Sequence, residues 1–127
     1  MKRDMDLARK ILFDVENCGN ADGSGYVAIE IEGHSEQEIM YHVQLLGEAG
    51  LIEIRDSSDS DGIRCWPTRL TWWGHEFIDA ARDNTRWEKT KRLVMEQTGS
   101  LSFETLKAVL LKLANDALAS HIVGLIG

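Results

Sequence analysis

The chain has 127 residues, 43% hydrophobic and 28% charged. These are the proportions of one ordinary globular domain, and they exclude disorder, collagen-like repeats and a bare coiled coil. Fourteen Lys+Arg against 21 Asp+Glu give a formal charge of −7, which argues against a protein that coats nucleic acid non-specifically, because that binding draws its energy from neutralised phosphates.

Residues 1–6 place Asp4 and Asp6 where a signal peptide needs an uninterrupted apolar core. Met5, Ala8, Ile11, Leu12 and Val15 recur at helical spacing and predict a first helix, ended by Cys18-Gly19-Asn20 and followed by a loop over 20–25. Alternation of Val27, Ile29 and Ile31 with Ala28 and Glu30 predicts a short strand over 26–31. Ser35 with Glu38 is a capping-box pattern that opens a second helix, with Ile39, Val43, Leu46 and Ala49 as its buried stripe and Gly50 as a left-handed cap.

Residues 51–54 and 64–70 read as the two strands of a hairpin with a polar tip at 56–62, and Pro67 requires an edge or bulged position because it cannot donate to a ladder. Thr71 caps a third helix to about residue 83, with Trp73, Phe77, Ile78 and Ala81 on its inner side. A fourth helix is expected over 85–97, ending at Gly99. Ser102 opens a long last helix in which Phe103, Leu106, Leu110, Leu113 and Ala117 form the inward stripe.

Helix, strand, helix, hairpin with a polar tip, capped helix is the order of a winged-helix domain. The expected class is therefore α+β: a winged-helix-like core over 1–83, with a reduced helix-turn-helix and a two-stranded wing. The C-terminal helices over 84–127 are expected to pack on the same domain. The reduction follows from length, since only residues 31–34 separate the first strand from Ser35, too few for a further helix.

The opening Lys2-Arg3-Asp4-Met5-Asp6-Leu7, the central His42-x-x-Leu45-Leu46-x-x-Ala49-Gly50-Leu51-Ile52 and the later Arg69-Leu70-Thr71-Trp72-x-Gly74-His75-Glu76-Phe77 carry a resemblance that spans nearly the whole chain. Asp79-Ala80, Asp83, Trp87 and Ser102-Phe103-x-x-Leu106-Lys107 extend it. The chain resembles an uncharacterised bacterial and prophage family known only as a domain of unknown function, whose members are short, cytoplasmic and winged-helix-like. Trp73 departs from the pattern, at a position more often polar. The resemblance implies an architecture and a prophage or mobile-element setting, and it supplies no activity.

On a DNA-binding reading, the helix over 35–49 would present Gln37, Tyr41 and Gln44 to base edges, where glutamine can pair with adenine. Arg55 and Arg64 of the wing over 54–65 would meet phosphates. The same surfaces carry Glu36, Glu38, Glu48, Asp56, Asp59 and Asp61. Residues 1–83 hold 8 basic against 17 acidic side chains, a net −9, whereas residues 84–127 hold 6 against 4, a net +2 centred on Arg86, Lys89, Lys91 and Arg92. DNA is therefore disfavoured by charge, and a transcriptional regulator is the alternative reading.

Catalytic and cofactor signals are missing from the sequence. Asp59-x-Asp61-Gly62 matches part of a calcium loop, but that register puts Ser57 first and Thr68 where the glutamate belongs. His34, His42, His75 and His121 show no paired metal-ligand spacing, and His42, beside the buried stripe, reads as a packed or hydrogen-bonded histidine. Neither a nucleophile elbow nor a phosphate-cradling glycine loop occurs. No enzyme activity, metal or cofactor is expected. Cys18 and Cys65 read as free thiols of a cytoplasmic protein.

Trp66, Trp72, Trp73 and Trp87 are the distinctive feature. Their ordinary role is to cement the wing against the third helix. The alternative is that Trp73, with Trp66 and Trp72, anchors a protein partner, since Trp dominates interface hot spots. The last helix is apolar over most of its circumference, through Val109, Leu111, Leu118, Ile122, Val123 and Leu125, which suggests a homodimer through that helix. Lys112, Asn115, Asp116 and His121 interrupt it and argue against a membrane span. The sequence thus reads as a non-catalytic binding protein that acts on another protein.

Overall fold

The computed structural model describes residues 1–20, 22 and 24–126. Its elements run α1 (Met5–Cys18), α2 (Glu36–Glu48), β1 (Ile52–Asp56), β2 (Cys65–Leu70), α3 (Trp72–Ala80), α4 (Asn84–Thr98) and α5 (Phe103–Ile126). The fold is α+β, with five helices and one two-stranded antiparallel sheet among the described residues. The chain divides into two units, Met1–Ile78 and Asp79–Gly127, so the division falls inside α3 and ahead of residue 83.

In the first unit, α1 opens on Asp4, whose carboxylate accepts from the N–H groups of Asp6 (2.9 Å) and Leu7 (3.1 Å). The expected stripe of Met5, Ala8, Ile11, Leu12 and Val15 is buried, with Leu7 beside it. The helix stops at Gly19, where a Cβ would stand 2.7 Å from the Val15 carbonyl oxygen and 2.8 Å from that of Thr68. Glycine is needed there for close approach, since its φ of −73° suits any residue. The expected loop that follows includes residues 21 and 23, which lie outside the described residues.

Helix α2 packs against α1 and against both strands, burying Ile39, Met40, His42, Val43 and Leu46. Ser35 accepts from the Glu38 N–H, the first half of the capping box. The Glu38 carboxylate does not complete the box, because it pairs with His34. Gly50 turns the chain at φ +77°, and Leu51 leads into the hairpin.

The strands pair Ile52 with Leu70 and Glu53 with Arg69, then Ile54 with Pro67. Thr68 is the extra residue of a bulge, and its hydroxyl donates to the Glu53 carbonyl at 3.1 Å. Pro67 therefore sits at the bulge its chemistry requires.

The strand expected over 26–31 does not form; that segment has no regular secondary structure. The Val27 N–H donates to the Pro67 carbonyl at 2.7 Å, but Pro67 has no N–H to return, so the pairing that would propagate a third strand has no reciprocal bond. A single turn, closed by His34 N–H to the Ile31 carbonyl, connects this segment to α2.

Thr71 caps α3 by accepting from the Gly74 N–H at 3.1 Å, and the helix ends at Ala80, short of the expected residue 83. In the second unit, α4 and α5 pack together. Asp83 caps α4 by accepting from the Arg86 N–H at 2.7 Å, so the helix begins at Asn84, one residue ahead of the expected start, and Gly99 closes it at φ +75°. Trp87, Thr90 and Val94 are the buried face of α4. On α5, Leu106 and Leu110 are fully buried, Leu113 is half-buried, and residues 115–125 are all exposed. The expected inward stripe thus stops at its third leucine, and Ala117 is not part of it, because α5 continues past the face that covers its first turns.

Candidate functional site

Two adjacent tryptophans open α3. Trp72 is 71% exposed and Trp73 62%, so neither belongs to the core, and the inner position expected for Trp73 is wrong. The cause is the first turn of α3. Gly74 is buried against the Leu51 carbonyl, while Phe77 and Ile78 are buried one turn further on, so the two residues before Gly74 fall on the outer side. The platform beneath them is fixed at several points: Thr71 N–H donates to the Leu51 carbonyl at 3.0 Å, and the Thr71 hydroxyl donates to the Gly50 carbonyl. Only Trp87 is a true core tryptophan, at 1% exposure. Trp66, on β2, is half-buried with its ring 5.0 Å from that of Tyr26.

The face proposed for bases is acidic and partly self-occupied. The Gln37 amide lies over the hairpin at Gly62, 3.5 Å from where a Cβ would stand there. Tyr41 is half-buried with its ring edge toward that of His42. Gln44 lines a shallow depression together with Glu48, Glu53 and Asp56. Arg64 is paired with Asp59 at 3.1 Å, and Arg69 with Glu53. Arg55 is exposed on β1 between Ile54 and Asp56. The Ser58 N–H donates to Asp56 at 2.8 Å and holds its carboxyl below the usual carboxylate range, which favours its charged form on the hairpin.

At the hairpin tip the acids serve their own backbone. Asp59 accepts from the Asp61 N–H, and Asp59 and Gly62 exchange two backbone bonds. This is the geometry of an Asx-type turn, and these carboxylates are not gathered as cation ligands.

A groove of 630 Å³ runs between the 27–32 segment, α2 and β2, with Val27, Ile39, Met40 and Trp66 in its walls and Glu30, Glu32 and Glu36 beside them. Cys65 also lines it; burial, opposed by the Ser58 hydrogen bond and aided by the nearby charges of Asp56 and Glu48, pushes its thiol pKa up.

The sequence reading missed one grouping. Asp4, His34 and Glu38 bring one ligand-type atom each within 4.8 Å of one another. The i,i+4 spacing of His34 and Glu38 was the available signal; Asp4 joins them only through the tertiary fold. Each is engaged otherwise, Asp4 as the α1 cap and His34 with Glu38, and none is fully buried.

Helix α5 is, among the described residues, the one helix long and apolar enough by length and composition to cross a bilayer. Its window has a mean hydropathy of 1.3 and is 6% buried.

These features define an α+β protein with a hairpin-bearing first unit, an acidic α2–hairpin face and an exposed tryptophan pair. The family model described as "Hypothetical protein (DUF2513)" matches residues 2–100, and the chain belongs to that uncharacterised family. An uncharacterized protein of Haemophilus influenzae is 34% identical over 119 residues, covering 94% of this chain and 100% of that one. No solved structure matches. The family match ends before α5 begins.

Proposed function

We propose that this protein is a winged-helix-like binding protein without catalytic activity, which acts through protein–protein contact in a prophage or mobile-element setting. Trp72 and Trp73 are the anchor of that contact. The observation that carries this reading is their exposure, 71% and 62%, on a helix turn held rigidly by Thr71 and Gly74. Large aromatics left in water on a rigid element are the residues that dominate interface energetics once a partner covers them.

The setting follows from the resemblance of the chain to bacterial and prophage sequences. The winged-helix reading rests on the order α1, α2, hairpin, α3, with the turn at 31–34 standing in for the short helix before α2. Charge favours a protein over a duplex: Glu48, Glu53 and Asp56 surround Gln44, and Arg64 and Arg69 are already paired with acids.

Affinity capture from host lysate, with and without nuclease, tests this reading. A partner that survives nuclease and is lost with Trp72→Ala/Trp73→Ala, at unchanged melting temperature, supports it. Capture abolished by nuclease, together with tight and salt-sensitive binding of a duplex in fluorescence anisotropy, overturns it in favour of a DNA-binding regulator.

A further inference from the structure

We propose that α5 pairs with the α5 of a second copy of this chain as a parallel two-stranded coiled coil, with Asn115 facing its own counterpart across the two-fold axis. Leu111, Leu118 and Leu125 recur every seven residues, and Ala108, Asn115 and Ile122 precede them by three. Over 108–125 that is a heptad seam with leucine at its three d positions and Ala, Asn and Ile at a; Glu104, one heptad earlier in α5, lies outside it. Leucine at d, a β-branched residue at a and a single buried Asn at a are the choices that favour two parallel strands and fix their register, at a cost in stability.

The seam is open in the structure. All six of its residues are exposed, with Leu118 at 57%, Ile122 at 45% and Leu125 at 72%. The buried residues of α5, Leu106 and Leu110, fall at the f and c positions of the same heptads, so burial within the unit and pairing along the seam use different side chains.

Asn115 decides what covers the seam. Against a wholly apolar surface or lipid its amide would be buried without partners, whereas a second Asn115 at the same level both donates and accepts. An isologous two-fold contact supplies that match at no further design cost. Ala114 and Ala119 flank the seam and allow close approach, and Lys112, the charged flank, is already paired with Asp116 at 3.2 Å. Residues 108–125 span about 27 Å of helix.

The inference stands independently of the tryptophan contact. The test is light scattering on the full chain, with Leu118→Asp as the seam variant. The expected wild-type mass is twice the 14.3 kDa of one chain. Leu118→Asp should weaken the dimer at least about a hundredfold, with an unchanged circular dichroism spectrum because the position is exposed in the single chain. In a Cys18→Ser background, Ala108→Cys and Leu125→Cys should each cross-link to their own counterpart, which an antiparallel pair cannot do. A monomer at millimolar concentration, a dimer indifferent to Leu118→Asp, or cross-links at neither end would each overturn the proposal. So would binding of α5 to phosphatidylcholine vesicles in place of self-association.

Discussion

The backbone N–H of Asp4 donates to Nε2 of His42 at 2.7 Å, while His42 Nδ1 donates to the Glu38 carbonyl at 2.8 Å. The buried ring thus bolts the cap of α1 to the middle of α2 as its neutral Nδ1–H tautomer. His42→Ala orphans the Asp4 N–H and leaves a cavity, so it should cost about 3 kcal/mol in urea unfolding. Asp4→Ala, which removes only the side-chain cap, should cost about 1 kcal/mol. Equal losses for the two would refute the bolt.

Gly74 meets the Leu51 carbonyl so closely that a Cβ has no room. The obstacle is backbone, which the Thr71 N–H also holds in place, and it cannot swing aside as a side chain would. Gly74→Ala should therefore destabilise by about 3 kcal/mol despite the better helix propensity of alanine. Gly124→Ala, in α5 with nothing within 4 Å, should instead stabilise by about 0.5–1 kcal/mol. Thermal melts of the pair should move in opposite directions.

Thr90, wholly buried on α4, has a hydroxyl with no hydrogen-bond partner among the described residues. Burying an unsatisfied hydroxyl is costly, and valine has nearly the same shape. Thr90→Val should gain about 1 kcal/mol, and a loss on denaturant titration would show that the hydroxyl is satisfied in solution.

The two thiols should separate cleanly. Cys18 is exposed and Cys65 is 1% exposed, so iodoacetamide should label Cys18 in the native protein and Cys65 only at the rate of unfolding. Burial raises the folded-state pKa of Cys65. The stability tied to its protonated form is complete below the ordinary thiol range and lost as pH rises through the raised value. The denaturation midpoint should therefore fall on the alkaline side, with a shallower fall in Cys65→Ala.

Much of the fold was legible because local chemistry decides it. Ser35, Thr71 and Gly99 cap helices through bonds to residues a few positions away, Gly50 turns the chain through its own positive φ, and Pro67 stands at a bulge because it lacks a donor. The 26–31 strand was misread because period-two alternation reports only that a segment can lie half-buried. Pairing needs a partner with free donors, and the neighbour supplied here is Pro67. The candidate site was less legible still. Trp72 and Trp73 differ by about 100° around a helix, and which side is outer depends on Gly74 and the strand-leading Leu51, far apart in sequence.

From the sequence alone came the α+β class, the hairpin, the edge or bulged position that Pro67 requires and the membership signals, all properties of neighbours along the chain. Only the tertiary structure decided that the tryptophan pair faces water, that Cys65 is enclosed and that the α5 seam is left open. Exposure is set by what packs opposite a side chain, and that depends on long-range contacts that no local pattern encodes.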